Sequence, residues 1–232
     1  MTETVTVTAI IRRESPAENS PARYERYQVQ GPANMRVLDV LRSVYEEQAG
    51  DLAFQFACRI GRCGTCAMKV NGVPVLACQE RCKSEMRIEP LTPFPVLRDL
   101  VIDRTEVESR YAELDLVPRA APAGDHPAPI APERAEALCH LDSCLACMIC
   151  VSGCPAVEER AFDGPAFMLK LRHMHEHPAN ERPRLEQALE GGLLECFACD
   201  RCTELCPADL NPAQAIRDFR RDLLFGAQVR AA

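Results

Sequence analysis

The chain has 232 residues, which is enough for two modest domains. Its formal net charge of −7 argues against nucleic acid as a partner, because phosphate binding requires a concentrated basic face. No apolar run is long enough to cross a bilayer, and residues 1–11 have neither the basic flank nor the apolar core of an export signal.

Cysteine is the most informative residue type in the composition. The chain has 14 Cys but only eight Phe, four Tyr and no Trp. Most of the cysteines lie two or three residues from the next one, a spacing that suits several thiolates around one metal centre. Disulfides are the alternative for an even number of cysteines, but they fit such close spacing poorly. We therefore predict metal-binding cysteines in a reducing compartment, the cytoplasm.

The first hundred residues predict mixed α/β structure. Alternating β-branched residues predict strands, and Asn71-Gly72 predicts a hairpin with a type I′ turn. The predicted strands are Val5–Ile11, Tyr24–Val29, Ala67–Val70, Val73–Leu76 and Arg87–Glu89. Apolar residues at helical spacing predict an amphipathic helix over Met35–Tyr45. Strands and helix in this order resemble the β-grasp arrangement of plant-type ferredoxins.

The rest of the chain predicts helices. A helix is expected over Arg98–Leu116, followed by an Ala/Pro-rich connector between Pro118 and Pro132. From Glu133 onward the pattern is helical without a strand, and a four-cysteine motif occurs twice, about fifty residues apart. The predicted fold class is α+β: a domain that resembles the β-grasp of plant-type ferredoxins over residues 1–97, then an all-α domain over 98–232 that carries the repeated motif.

The first cysteine group has the C-x4-C-x2-C spacing of plant-type [2Fe–2S] proteins. Its members are Cys58, Cys63 and Cys66. Gly61 and Gly64 allow the loop to adopt positive φ and bring backbone N–H groups close to the sulfurs. The fourth ligand must come from elsewhere in the chain, with Cys78 as the natural candidate and Cys82 as its competitor. A zinc loop is the alternative, although zinc sites usually pair two C-x2-C knuckles.

The repeated motif is C-x2-C-x2-C-x3-C-P, the pattern of bacterial ferredoxins. It comprises Cys144, Cys147, Cys150 and Cys154 before Pro155, and then Cys196, Cys199, Cys202 and Cys206 before Pro207. In two-cluster ferredoxins the fourth cysteine of each run ligates the other cluster. One [4Fe–4S] cluster is therefore assigned to Cys144, Cys147, Cys150 and Cys206, and the other to Cys154, Cys196, Cys199 and Cys202. Structural zinc would leave the duplication and both Cys-Pro pairs unexplained.

With these motifs, the chain resembles the iron–sulfur subunits of succinate dehydrogenases and fumarate reductases over nearly its whole length. The segment Pro93–Asp103 and Gly164-Pro165-Ala166 also match that family. The resemblance favours Cys78 over Cys82. It implies a flavoprotein partner whose FAD interconverts succinate and fumarate, with electrons passing through the [2Fe–2S] cluster and two further clusters to a distal carrier. The alternative is an electron relay for another flavin-dependent oxidoreductase with a different substrate.

Two departures from that family affect the distal end. Most members lack a cysteine at the position of Cys199 and hold a [3Fe–4S] cluster there, so Cys199 predicts a second cube; a [3Fe–4S] cluster remains the alternative if Cys199 is not a ligand. Quinone-linked members have Trp near the first Cys-Pro and His after the first cysteine of the second run. This chain has no Trp, and Phe197 follows Cys196. Both features disfavour quinone as the direct partner.

The departures resemble subfamilies with thiol-dependent fumarate reduction or a cysteine-rich, heterodisulfide-reductase-like subunit. That subunit and a membrane anchor are therefore the two expected distal partners. The expected location is the cytoplasm, or the cytoplasmic face of the inner membrane through a partner subunit.

The histidines and the cysteines outside the motifs do not indicate a further binding or catalytic site. His173, His175 and His177 are expected at a solvated helix end, and Cys82 and Cys139 as buried free thiols. No nucleophile elbow, phosphate loop or dinucleotide fingerprint is found in the sequence. We therefore predict no catalytic residue in this chain and assign substrate chemistry to the flavoprotein.

Overall fold

A computed structural model describes residues 4–117 and 130–226. The chain divides into two compact units. The first comprises Met1–Arg104 with the short segment Cys147–Ser152, and the second comprises Thr105–Ala146 with Gly153–Ala232. Most of the predicted connector falls on residues 118–129, which lie outside the described part of the chain.

A five-stranded mixed sheet is the centre of the first unit. The strands are β1 (Thr4–Ser15), β2 (Ser20–Pro32), β3 (Ala67–Val70), β4 (Val73–Leu76) and β5 (Glu85–Glu89). Their order is β2-β1-β5-β3-β4, and only the β1–β5 pair is parallel. Helix α1 (Val37–Glu47) buries its apolar face, including Val40, Leu41 and Val44. The alternation of β1 likewise buries Val7 and Ile11.

Most of the predicted elements of this unit are confirmed. The hairpin has the predicted bounds, and Asn71 and Gly72 have φ of 52° and 79°, as a type I′ turn requires. The first two strands are longer than predicted, and the helix is displaced two residues towards the C-terminus. The strand predicted at Arg87–Glu89 is the end of β5, which lies inside the sheet between β1 and β3.

The helix predicted over Arg98–Leu116 is wrong in its first part. Two short strands, β6 (Val96–Arg98) and β7 (Val101–Ile102), pair there, and helix α2 spans only Thr105–Leu114. The cause is Asp99, which has φ of 49°. Its buried carboxylate accepts the N–H groups of Glu14 (3.0 Å) and Ala53 (2.9 Å), so tertiary hydrogen bonds hold this backbone out of a helix.

The second unit is helical, and no strand occurs in its described residues. After α2, the helices in chain order are α3 (Pro132–Asp142), α4 (Ile149–Ser152, grouped with the first unit), α5 (Pro155–Glu159), α6 (Pro165–Glu176), α7 (Arg184–Glu190), α8 (Arg201–Glu204) and α9 (Pro212–Phe225). Helices α6 and α9 form its core through residues such as Leu171 and Phe219, and a buried Arg172–Asp222 pair joins them. The prediction of helices without strands from Glu133 onward is therefore confirmed for the residues described.

None of the helices in the described residues combines the length and the apolar character that crossing a membrane requires.

Candidate metal centres

The loop that carries Cys58, Cys63 and Cys66 is wound so that backbone N–H groups face sulfur atoms. The N–H of Arg62 donates to Cys58 Sγ (3.2 Å), and the N–H of Cys58 donates to Cys63 Sγ (3.5 Å). The winding depends on positive φ at Gly61 (74°), where a Cβ would also lie 3.1 Å from the side chain of Gln79. Such N–H···S contacts stabilise negative charge on the sulfurs.

Cys78 joins this group from the end of the β3–β4 hairpin. Its side chain and that of Cys66 are buried and within hydrogen-bonding reach of each other, and the N–H of Ala77 donates to the carbonyl of Cys66 (3.0 Å). Cys82 is half-buried, and the charged groups that act on it are Asp39, Glu80 and Arg36. The structure thus brings Cys78 to Cys66.

The thiols of this group differ in how easily they ionise. The hydroxyl of Thr65, helped by backbone N–H groups, lowers the pKa of Cys63 to about 6. Burial raises the pKa of Cys66 to about 12. Burying a negatively charged thiolate costs free energy unless a cation is near. A bound metal supplies that positive charge and keeps its thiol ligands deprotonated. Cys63 is already polarised towards the thiolate by its hydrogen bonds.

The two cysteine runs of the second half share one backbone conformation. Ala146 and Ala198, the third residues of the runs, have φ of 48° and 55°. Met148 and Asp200, the fifth residues, have φ of 62° and 59°. Positive φ is uncommon for residues other than glycine, and it clusters at functional sites. The sequence repeat is therefore also a repeat of a strained loop, followed in each run by a short helix, α4 or α8.

Two of the four cysteines of the second group, Cys144 and Cys206, lie in the second unit. Cys144 and Cys206 pack against one small apolar cluster that contains Leu169 and Leu210. Burial raises the pKa of Cys144, and Cys206 is among the groups that act on it. Cys147 and Cys150 lie in the segment that is grouped with the first unit.

All four cysteines of the third group line one pocket of the second unit: Cys154, Cys196, Cys199 and Cys202. Burial, together with the charges of the other three thiols, raises the pKa of Cys202 to about 12. Cys154 is buried, and its sulfur faces the N–H groups of Ala156 and Val157 at the start of α5. Cys199 is exposed.

The donor sets fit iron–sulfur clusters in composition and hydrogen bonding. Thiolate is the usual ligand of such clusters, and N–H groups directed at sulfur adjust their potentials. Within residues 4–117 and 130–226, no three His, Cys, Asp or Glu side chains are arranged to hold a single metal ion.

Two predictions about the remaining polar residues need correction. His173 and His175 lie in the last turn of α6, as predicted, but they are not solvated: their side chains are only 15% and 21% exposed. His175 lies 3.7 Å from the carboxylate of Asp222 and packs on the ring of Phe219, because its helix face turns towards α9. Cys139, expected as a buried thiol, is exposed on α3.

Two residues that contact the sites, Thr65 and Arg220, are not predicted from the sequence. Thr65 lies inside the first cysteine motif, so its hydroxyl could have been noticed as a hydrogen-bond donor to a ligand sulfur. Arg220 binds the carbonyl of Cys196 from α9 (2.7 Å), 24 residues further along the chain. No local pattern reveals a contact of that kind.

The comparisons with known proteins agree with this description. A family model described as "2Fe-2S iron-sulfur cluster binding domain" matches residues 8–109, and one described as "4Fe-4S dicluster domain" matches residues 140–210. The chain is 30% identical to the fumarate reductase iron–sulfur subunit of Escherichia coli O6:H1, over 88% of each chain. It superposes on a chain of the Mycobacterium smegmatis Sdh1 complex in the apo form with a TM-score of 0.83 and 26% identity, covering 95% of this chain and 96% of that one.

A longer relative is also found. One subunit of the fumarate reductase (CoM/CoB) of Methanothermobacter marburgensis is 34% identical over 212 residues, which are 90% of this chain but 43% of that protein. The chain spans about two fifths of the length of this relative and of two further ones.

Proposed function

Because the chain belongs to the family of iron–sulfur subunits of succinate dehydrogenases and fumarate reductases, we propose that it relays electrons between the FAD of a flavoprotein subunit and a distal carrier. The observation that carries this proposal is the grouping of the cysteines: Cys66 with Cys78, Cys144 with Cys206, and four around one pocket. Substrate chemistry would take place in the flavoprotein, and this chain would supply no catalytic residue.

The fold is consistent with two ferredoxin-like domains, as the sequence predicts for residues 1–97 and 98–232. The order β2-β1-β5-β3-β4, with β1 and β5 parallel and α1 placed between β2 and β3 in sequence, supports a β-grasp ferredoxin domain. The shared loop conformation of the two cysteine runs supports a bacterial two-cluster ferredoxin-like domain.

We assign twelve of the fourteen cysteines to three clusters. One [2Fe–2S] cluster would be held by Cys58, Cys63, Cys66 and Cys78. One [4Fe–4S] cluster would be held by Cys144, Cys147, Cys150 and Cys206, and the other by Cys154, Cys196, Cys199 and Cys202. Such clusters, when bound, take up and release single electrons at potentials that their surroundings set.

The protein's own part is to hold these thiols in place and to adjust their surroundings. The N–H groups of Arg62 and Ala198 donate to Cys58 Sγ (3.2 Å) and Cys196 Sγ (3.4 Å). Hydrogen bonds to sulfur favour the more negative, reduced state and so raise the potential. Burial of Cys66, Cys154 and Cys202 keeps water from much of the ligand shell.

The distal carrier is proposed to be a thiol-linked or cysteine-rich subunit, with a membrane anchor as the alternative. Phe197 stands where quinone-linked members have His. The guanidinium of Arg160 lies 5.1 Å from the centre of the Phe197 ring and also binds Glu195 (2.9 Å). The likeness to a protein named for fumarate reductase (CoM/CoB) supports the thiol-linked reading. In either case we place the chain in the cytoplasm, or on the inner membrane through its partner.

The proposal is tested by anaerobic isolation of the native complex. We expect a flavoprotein to co-purify, about ten iron atoms per chain with essentially no zinc, and cluster reduction upon addition of succinate. Zinc in place of iron would contradict the cluster assignment. Iron clusters that another flavin substrate reduces, but succinate does not, would favour a relay for a different oxidoreductase.

A further inference from the structure

Arg220 of α9 binds the backbone that leads into the second cysteine run. Its Nη2 donates to the carbonyls of Leu193 (3.0 Å), Leu194 (3.2 Å) and Cys196 (2.7 Å), and its Nε also donates to Leu193 (3.2 Å). Residues Leu193–Glu195 form a single 3-10 turn that ends at Cys196. Carbonyls at the end of a helix have no partner within it, and a cationic side chain commonly supplies one.

The first cysteine run is anchored differently. Helix α3 ends just before it, and Ser143 closes that end by donating its N–H to the carbonyls of Cys139 (3.2 Å) and His140 (3.1 Å). The Ser143 hydroxyl also donates to the His140 carbonyl (2.7 Å). The entry to the first run is thus fixed by local hydrogen bonds and by one long contact, from Lys170 Nζ of α6 to the carbonyl of Asp142 (3.4 Å). At the entry to the second run, a guanidinium from α9 binds three carbonyls.

Two neighbouring arginines on α9 make weaker contacts. Arg217 lines the same cysteine pocket, but its partner is the carboxylate of Asp200 (2.5 Å), and both side chains are largely exposed. Arg221 pairs with Asp218 (2.9 Å) and is exposed as well. Exposed ion pairs contribute little to stability. Arg220 is half-buried, and its planar guanidinium binds three carbonyls at once, which a point charge does less well.

We propose that Arg220 is a positioning residue of the third cluster: by fixing the backbone at Cys196, it holds that thiol in register with Cys154, Cys199 and Cys202. The inference rests on the proposed ligand set for this cluster. It adds a determinant of cluster retention and potential that lies outside both cysteine motifs.

The test compares R220Q with R217Q and R221Q in the complete chain with its clusters assembled. Loss of an outer-shell partner typically weakens metal binding 10- to 100-fold, so we expect R220Q to lose iron from the third cluster to a ferrous chelator about tenfold faster or more. In R220Q the EPR signal and the midpoint potential of the third cluster should change, while the signals of the other two clusters stay as in the wild type. R221Q should behave as the wild type. R217Q removes a charge from the same pocket without touching the Cys196 carbonyl, so it should shift the potential less than R220Q does.

Two outcomes would overturn the inference. In one, R220Q retains its third cluster with an unchanged potential; in the other, R217Q shifts the potential as much as R220Q does, so that charge alone explains the effect. If R220Q does not fold, R220K is compared with R221K, because lysine keeps the positive charge but lacks the planar guanidinium. Equal iron retention in R220K and R221K would refute the positioning role of Arg220. A wild-type chain without iron would instead refute the proposed function.

Discussion

Cys199 is the exposed member of the third cysteine group, whereas Cys154 and Cys202 are buried. Each buried thiol is held by its surroundings: Cys154 by N–H groups at the start of α5, and Cys202 by α8. Positive φ occurs on both sides of Cys199, at Ala198 and Asp200. In the proposed cluster, the iron bound by Cys199 would therefore have an exposed cysteine as its protein ligand.

Replacing Cys199 by Ser should convert the third cluster to a three-iron form, because the remaining three thiolates hold only three irons of a cube. EPR of the oxidised protein measures this conversion, and C139S, which changes an exposed cysteine outside every motif, is the matched control. A three-iron signal in anaerobically prepared wild-type protein would show that Cys199 is not a ligand.

At the scale of elements, the strands β6 and β7 are fixed by one buried ion pair. Arg13 of β1 and Asp99 have side chains that are each 4% exposed, and Arg13 Nε lies 3.1 Å from Asp99 Oδ1. Burial alone would lower the pKa of Arg13, but the nearby carboxylate of Asp99 raises it. Because the same carboxylate binds the N–H groups of Glu14 and Ala53, it joins three segments of the first unit.

Replacing Asp99 by Asn should destabilise the first unit by about 2 kcal/mol, because a buried N–H group loses its acceptor. The amide has one acceptor oxygen where the carboxylate has two, so the N–H of either Glu14 or Ala53 is left without its partner, whereas Arg13 keeps Glu25 and Asp51. D51N is the control: Asp51 also pairs with Arg13 (2.7 Å) but is 63% exposed, so its loss should cost less than about 1 kcal/mol. Urea unfolding followed by circular dichroism gives both values, and equal losses would contradict the role given to Asp99.

At the scale of the whole chain, the two units differ in what stabilises them. The first has a continuous sheet with a buried apolar face. The second includes short helices, α5 and α8, of five and four residues next to cysteines. Isolated helices of that length are not stable in water, so cluster binding there is expected to supply folding energy.

Removal of iron by a chelator should therefore reduce the helical signal more than the sheet signal. Far-UV circular dichroism measures the change, and limited proteolysis should cleave first within residues 144–206. Reassembly with iron and sulfide should restore both. An iron-free chain with undiminished helical signal and resistance to cleavage in that region would contradict this expectation.

The linear sequence was enough to reveal the two cysteine runs, the hairpin at Asn71-Gly72 and the change from mixed structure to helices. Each of these is encoded locally: cysteine spacing within one loop, two residues that accept positive φ, or the period of apolar residues. Their physical causes act over a few residues, so a linear pattern is enough to reveal them.

Other features depend on residues that are far apart in the chain and meet only in the folded protein. The first part of the helix predicted over Arg98–Leu116 is absent because the N–H groups of Glu14 and Ala53 bind the carboxylate of Asp99. His175 is half-buried because α9 packs on its face. Arg220 reaches the carbonyl of Cys196 from another helix. Hydrogen bonds and burial of this kind exist only after distant segments have packed, and their energies outweigh the local preferences that a sequence pattern records.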